Sequence, residues 1–514
     1  MADLSYTPLD QIDQIHADAN AAFRTGKTKS IAYRKYLLLQ LAYLVKDNEK
    51  AIVDALGKDL GRHSMETYIL EINTSLAEIM EAHDNVESWA KPEKPPMTFN
   101  FVFMNPRVLK QPKGAVLIIS PFNFPLWLLI SPLAGALAAG NTVVFKPSEA
   151  APHFASLMTE LFPKYIEPAV VSVVNGAIPE TSKLLALPWG HILYTDVELP
   201  GADVKHKQLG GKSPVFIDPS SDLDLAARRV MWGKFSNAGQ TCVAPDYVLV
   251  PRSGQDAFIA ALKKNYEQFW PETKTGEVPK DASRMIHAGA YKRVSGLLAA
   301  SKGTVVAGGQ TKESEMYIAP TIIKDVKWDD SLMSEELFGP LLPIVPIDSV
   351  EEGIAYVNAN DHPLALYVFS QDDAYKQKVF DNTTSGSCAA NETLLIAGVT
   401  GLPFGGIGPS GSGGYHTGKW GFDMFTHFRA TIDTPGWIDK LLSFRFPPYT
   451  DKKAAMLQSR LGVKLPARPQ APPAITAAAK GGLSKWFLFA LAFAVVGALT
   501  KTKTGLKPLL MWRK

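Results

Sequence analysis

The sequence predicts an α/β protein built on two doubly wound, Rossmann-like parallel sheets. Three observations lead there. The 514 residues are too many for one small core. Hydrophobic residues make up 46% and charged residues 20%, the balance of a folded globular chain. Apolar, β-branched runs alternate with helical stretches, once from residue 114 and again from 213 to 390, which is the βαβ rhythm of a parallel sheet.

The elements follow in order. The N-terminus has early acids and no apolar core, so it reads neither as a secretory signal nor as a transit peptide. Residues 8–90 read as helices, because apolar side chains recur three and four apart through Tyr33, Leu37, Leu38 and Leu41, and again around Ile69, Ile72 and Leu76. KPEKPP, 91–96, breaks them. TFNFVFMNPRVLKQ then favours extended structure, either a hairpin arm or a bridging strand. AVLIIS (115–120), TVVFK (142–146), VVSVV (170–174) and HILYT read as strands, with helices over 126–139 and 149–162. The second rhythm holds VFI, a helix over 222–237, YVLV, LALYVF and the run up to SCAAN. Between 431 and 482 the chain is rich in Pro and Ala and reads as a linker.

The formal net charge of +3 is small for this length, and part of it sits in the last residues, so nucleic-acid binding has no electrostatic footprint. Two cysteines, Cys242 and Cys388, make no disulfide framework and suit a reducing compartment. Cys388, in SGSCAAN, reads as a buried structural thiol. The ten histidines show no metal spacing, so no metal is predicted. Gly406-x-Gly408-x-x-Gly411 fits a dinucleotide fingerprint formally, but it follows no strand and contains Pro409.

The tail, LSKWFLFALAFAVVGALTKTKTGLKPLLMWRK, carries an uncharged apolar run over 486–499. As a helix it spans about 21 Å, less than the roughly 30 Å of a bilayer core. Its length would allow a buried core helix. Its all-round apolarity, its place beyond a linker, and its Trp486, Lys485 and distal lysines favour a membrane anchor over 483–500. The lysines beyond it conflict with simple spanning and keep monotopic insertion open.

FSNAGQTCVAPD, 235–246, places Cys242 after a predicted helix in a short polar loop. Such a loop exposes a thiol and offers backbone N–H groups, as attack on a carbonyl requires. GKFSNAGQTCVAPDYVLV resembles the active-site signature of the aldehyde dehydrogenase superfamily, and its APDY continuation is similar to the class 3 and fatty aldehyde branch. Further matches stand in family order. SPFNFP (120–125) resembles the oxyanion loop and places the family's Asn on Asn123. VVFKPSE (143–149) resembles the cofactor stretch and places Lys146 and Glu149 at the adenosine ribose. EELFGPLLP (335–343) resembles the nicotinamide-side loop, with Glu336 at the ribose and Phe338 beside the ring. LPFGGIGPSGSGGYHTGKWGFDMFTH (402–427) resembles the return segment near the substrate entrance, with Phe404 lining the site. Taken alone, Asn123 would be a turn residue, Glu149 an acid at a helix N-terminus, and Lys146 a surface lysine at a strand end.

The chain departs from this pattern in one place. After HILYT the family continues with a Gly-containing turn, a helix and a return strand ending Glu-Leu-Gly-Gly-Lys. Here DVELPGADVKHKQ, 13 residues, separates Thr195 from Leu209. That is too short for a turn, a full helix and a strand, and Pro200-Gly201 would break a helix. Asp196 replaces a phosphate-side Gly. Gln208 replaces the Glu that activates the deacylating water, and Gln cannot take a proton at neutral pH. Two explanations stand: an error in the 196–208 sequence, or an altered paralogue.

The resemblance implies residues 1–208 as N-terminal helices and NAD(P)-binding domain with an arm from about 91–111, and 209–420 as the catalytic domain. It implies 421–446 as the oligomerisation segment; 447–482 is the linker and 483–500 the anchor. It implies NAD or NADP as cofactor, a homodimer, and oxidation of aldehydes to carboxylic acids through a Cys242 thiohemiacetal and thioester. Combined with the tail, it implies long-chain or fatty aldehydes, with aromatic or medium-chain aldehydes the close alternative. It also implies membrane lipid as a partner and a catalytic domain facing the cytosol at the endoplasmic reticulum, mitochondrial outer membrane, peroxisome or lipid droplet. The alternative is a catalytically impaired, membrane-bound relative, limited by Gln208 to binding or a single turnover.

Overall fold

The computed structural model describes residues 4–96, 101–195, 206–208, 210–275, 277–461, 463 and 465–468. The chain divides into two units, Met1–Thr434 and Pro435–Lys514. The first opens with the helices Leu9–Arg24, Ile31–Asp47, Glu49–Leu60 and Asn73–Trp89, as the three- and four-residue spacing predicts. Leu37, Leu41, Ile52 and Ile79 from these helices are buried with Leu129, Leu133 and Phe145 in one core. Between the third and fourth lie the turn Ser64–Thr67 and a π-helical turn, Tyr68–Ile72.

β1 (Arg107–Pro112) begins an arm. β2 (Ala115–Ile119), β3 (Thr142–Lys146), β4 (Val171–Val173), β5 (His191–Thr195) and β6 (His206–Gln208) build the first sheet. β7 (Pro214–Ile217), β8 (Tyr247–Pro251) and β9 (Thr304–Ala307) begin the second, and β10 (Thr311–Lys312) pairs with β11 (Tyr317–Ile318) as a small hairpin. β12 (Thr321–Lys324), β13 (Leu341–Ile347), β14 (Ala365–Phe369) and β15 (Ser387–Ala390) complete the second sheet. β16 (Gly411–Ser412) returns to the first sheet, and β17 (Thr426–Thr431) pairs antiparallel with β1 along its whole length.

The first sheet has the order β16-β6-β5-β2-β3-β4 and is parallel except for β16. The second has the order β15-β14-β7-β8-β13-β12-β9 and is parallel except for β9. β2, β3, β5 and β14 are buried at every residue. Strands covered on both faces carry unbroken apolar runs, and these runs are what the sequence displays.

The helix Trp127–Ala139 crosses the helix Gly418–Met424 so closely that a Cβ on Gly135 would lie 2.8 Å from the Gly421 carbonyl carbon. That contact fastens the return segment to the first sheet.

Three expectations change. The helix predicted over 222–237 is Leu223–Phe235; Asn237 and Ala238 take left-handed φ of 54° and 52° and end it. Cys388 is exposed, because β15 is the edge strand of the second sheet. Within the stretch read as a linker, Asp451–Leu461 is a helix; the run has no Pro or Gly, and Ala, Met, Leu and Gln favour helix. This helix belongs to the second unit, which also holds the turns Gly436–Ile438 and Ser443–Arg445. Among the described residues no helix is long and apolar enough to cross a membrane. The anchor expected over 483–500 lies outside the described residues, as do 196–205 of the altered crossover.

Candidate active site

Cys242 stands beyond the helix Leu223–Phe235 and the tight turn Ser236–Gly239. The turn needs glycine at its end: Gly239 has φ +72°, and a Cβ there would lie 2.3 Å from the Gly339 carbonyl oxygen. The loop is pinned on both sides of the thiol. Gln240 Nε2 donates to Arg284 O at 2.9 Å, and Gln240 Oε1 accepts from Ile286 N at 2.9 Å. Tyr367 Oη donates to Val243 O at 2.6 Å. Asp246 accepts from Lys212 Nζ at 2.5 Å and from Leu337 N at 3.0 Å, which joins the loop to the 335–343 segment.

The thiol opens on a narrow cavity of about 50 Å³. Thr241 and Val243 form one side, Phe124 and Trp127 another, and Leu70, Leu394 and Leu395 the rest, with no charged side chain in the lining. Burial, then the Glu336 carboxylate, pushes the Cys242 thiol up to about 12, although its own N–H and that of Val243 favour the thiolate. At neutral pH Cys242 is therefore a thiol.

Asn123 is buried between two prolines in the 120–125 segment. Its carbonyl accepts from Arg62 Nη2 at 2.5 Å and Asn237 Nδ2 at 2.9 Å. Its side-chain amide has no hydrogen-bond partner among the described residues, so it is available as a donor. Its neighbours Phe124 and Trp127 share the cavity with Cys242. Phe122 meets Phe338 edge to face at 6.0 Å, and Phe338 holds φ +43°. Phe404 packs on Trp127 at 5.7 Å and on His416 at 5.2 Å, at the back of the same wall.

Lys146 and Glu149 lie apart from the thiol, at the C-terminal ends of β2, β3 and β5. They line a cavity of about 110 Å³ with Ser120, Thr181 and Tyr194. The sheet reverses its strand order between β2 and β5, and crevices at such switch points take nucleotides. Lys146 Nζ donates to Glu149 at 2.8 Å and to Gly176 O at 2.9 Å. The Ser120 hydroxyl is buried without a partner among the described residues. A cation, a carboxylate and a spare hydroxyl fit a sugar diol, so the residues suit the ribose of a dinucleotide.

Glu336 sits over the Gly210–Gly211 backbone: a Cβ on Gly210 would lie 2.4 Å from its Oε2, and Gly211 N–H donates to it. Burial, then the Asp246 charge, pushes Glu336 up to about 8. Lys234 is fully buried 3.7 Å from Asp246, and burial pulls it down to about 8. Gln208 stands on β6, opposite Thr195 of β5 and Gly411 of β16. The structure thus sets Cys242 at a cavity walled by Phe124, which follows Asn123, and by Trp127, which packs on the Phe404 ring, and it places Lys146 with Glu149 at another cavity.

Sequence reasoning missed Arg62, Glu71, Asn237 and the cavity wall of Leu70, Leu394 and Leu395. The tract Leu394–Gly398 carried a visible apolar signal, LLIAG, just beyond the second rhythm, and no role was read from it. Arg62 and Glu71 carry no pattern; apart from each other, their partners lie far along the chain.

A model described as "Aldehyde dehydrogenase family" matches residues 1–188 and 201–431. The break at 189–200 falls at the start of the altered crossover. Beta-apo-4'-carotenal oxygenase of Neurospora crassa is 38% identical over 473 residues, 89% of this chain and 87% of that protein. Aldehyde dehydrogenase family 3 member A2 of Rattus norvegicus is 38% identical, over 84% of this chain and 90% of its own length. The solved substrate-bound state of Staphylococcus aureus AldH superposes with a TM-score of 0.82 at 36% identity, covering 87% of this chain and 98% of that one.

Proposed function

The chain belongs to the aldehyde dehydrogenase family and is an NAD- or NADP-dependent oxidoreductase acting on aldehydes, and we propose that its substrates are long apolar aldehydes, oxidised to carboxylic acids on Cys242. The observation that carries the substrate class is the cavity at the thiol, where Leu70, Phe124, Trp127, Leu394 and Leu395 present apolar surface and no charge. Burying a methylene there contributes about 0.8 kcal/mol, so each added carbon favours binding until the cavity is full. The name of the Neurospora crassa relative, Beta-apo-4'-carotenal oxygenase, supports the same class.

In this reading Cys242 Sγ releases its proton to water and bonds the aldehyde carbon, and the electron pair of the carbonyl π bond moves to the oxygen, which becomes an oxyanion. Asn123 Nδ2 and the backbone N–H groups at 242–243 donate to that oxygen. Lys146, Glu149 and Glu336 would hold NAD or NADP, which would supply the hydride acceptor for the oxidation. Phe338 and Phe122 wall that side and keep water out. Water then breaks the thioester, releasing the acid and the thiol. With Gln208 at the end of β6, no carboxylate is contributed from that position, and a second reading follows: a burst of one turnover and slow release.

The tail, 483–500, is the proposed anchor that holds the enzyme at a membrane with its catalytic unit in the cytosol, where such aldehydes partition. The ribbon of β1 and β17, with Phe428 and Ile432 exposed, is the proposed dimer arm. The test is NADH and NADPH formation with aldehydes of increasing chain length. Rising kcat/KM with length and sustained turnover support the reading. A burst with no steady state supports the Gln208 limit. Equal rates at all lengths overturn the substrate class, and turnover by Cys242→Ser at the native rate overturns the nucleophile. Release of the full chain by carbonate would remove the anchor. The tryptic peptide 184–205, LLALPWGHILYTDVELPGADVK, settles by mass whether the protein itself carries the altered crossover.

A further inference from the structure

We propose that Arg62 and Glu71 form a buried strut that sets Asn123 against the loop of Cys242, and so act as positioning residues for attack on the aldehyde. The proposal rests on the roles given above to Asn123 and Cys242.

Both side chains are fully buried and paired, Arg62 Nη1 to Glu71 Oε1. A buried ion pair alone is weak evidence for stability, since apolar replacements often serve as well. What distinguishes this pair is where the remaining bonds go. Arg62 Nη2 donates to Asn123 O at 2.5 Å, and Arg62 Nε donates to Asn237 Oδ1 at 3.2 Å. Glu71 Oε2 accepts from Leu126 N at 2.7 Å and Trp127 N at 3.1 Å. The guanidinium also lies 5.0 Å from the centre of the Phe124 ring. Every contact therefore ends on the 123–127 segment or on the turn before Cys242. Asn237 closes the figure, donating from Nδ2 to Asn123 O at 2.9 Å and to Gln240 O at 3.0 Å.

Arg34 shows what a structural arginine looks like in the same protein. It is also buried, but it donates to Thr28 O at 2.8 Å and Ala138 O at 3.0 Å, carbonyls of the helical layer. The π-helical turn Tyr68–Ile72 explains how Glu71 reaches inward while Leu70 faces the cavity. Such turns insert an extra residue and re-aim the side chains that follow.

The strut matters because the amide of Asn123 can serve an oxyanion only where that atom forms, beside the sulfur. A misplacement of about 1 Å in such a site costs on the order of 10²-fold in rate. Arg62→Lys keeps a positive charge for Glu71 but cannot reproduce the planar fork that also reaches Asn123 O and Asn237 Oδ1.

The experiment compares Arg62→Lys, Asn123→Ala and the double variant in the full-length enzyme, with dodecanal and saturating NAD. Expected are a kcat lowered about 10²-fold in Arg62→Lys, a KM within about 2-fold of wild type, since a ground-state contact is not removed, and a double variant no slower than Asn123→Ala. Iodoacetamide alkylation followed at the Cys242 peptide keeps its wild-type rate; a merely loosened fold would raise it. A native kcat in Arg62→Lys, a change confined to KM, or losses that multiply in the double variant would overturn the strut. A fully active Asn123→Ala would instead overturn the role of Asn123. If Arg62→Lys does not fold, Asn237→Asp is read by the same criteria: it keeps an acceptor for Arg62 Nε and turns the donor to Asn123 O into an acceptor.

Discussion

The phenol of Tyr367, fully buried on β14, donates to the carbonyl of Val243, one residue beyond Cys242. Tyr367 thereby ties the second sheet to the loop of Cys242. Tyr367→Phe leaves that buried carbonyl unpaired, at a cost of about 1–3 kcal/mol. The expected result is a lower midpoint in thermal and urea unfolding together with a lower kcat. Unchanged values of both would mean the loop holds its shape without the bond.

The thiol of Cys242 is expected to show an unusual pH profile. Glu336 is pushed up to about 8, so at pH 7 it is neutral and exerts no charge on the sulfur. Above pH 8 it ionises and opposes the thiolate, whose own pKa stands at about 12. Glu336→Gln should therefore be alkylated at Cys242 as slowly as wild type at pH 7 and faster than wild type at pH 9–10. Exposed Cys388 should react in both at any of these pH values. Equal Cys242 rates at pH 9–10 would show that Glu336 does not act on the thiol.

Gly398 lies on the rim of the cavity, and a Cβ there meets only Thr74, at an ordinary 3.5 Å. A ring at this position fits the backbone and narrows the entrance. Gly398→Phe is expected to raise KM for dodecanal several-fold while leaving propanal nearly unaffected. The comparison is steady-state kinetics with both aldehydes, and equal effects on the two would remove Gly398 from the substrate path.

Gly135 and Gly421 meet backbone to backbone. Gly135→Ala must push two helices apart, and overpacking of this kind costs about 1–3 kcal/mol. Thermal unfolding should shift down accordingly. Because the helix Gly418–Met424 follows directly on Thr417, whose hydroxyl accepts from Phe404 N at 3.2 Å, activity on long aldehydes should fall with it.

Much of this architecture is legible in the sequence, for reasons that differ by residue. β2 is apolar throughout and β3 and β5 are apolar between their polar ends, because helices cover both faces, and such runs announce themselves. Cys242, Asn123, Lys146 and Glu149 sit in short local motifs whose neighbours share their task. Arg62 is different: its partners Asn123 and Asn237 lie 61 and 175 residues away, and Glu71 turns inward only because of a π-helical turn that periodicity does not reveal. Cys388 misled because the small residues of Ser387–Ala390, SCAA, suit a core strand as well as a sheet edge, and among the described residues no strand lies beyond β15 in the sheet order. The helix Asp451–Leu461 was obscured by the Pro-rich composition on either side of it.

The pairing of β16 with β6 has a consequence for the order in which the protein is made. β6 ends at Gln208, and the strand that covers its outer edge begins at Gly411. At roughly 5–20 residues per second, a ribosome needs on the order of 10–40 s to synthesise the intervening chain. During that interval the outer edge of β6 in the nascent first sheet offers unpaired backbone groups, the kind of edge that recruits other strands. Chaperone demand and aggregation in a translation reaction should therefore peak in chains truncated between these two strands and fall once the covering strand has emerged.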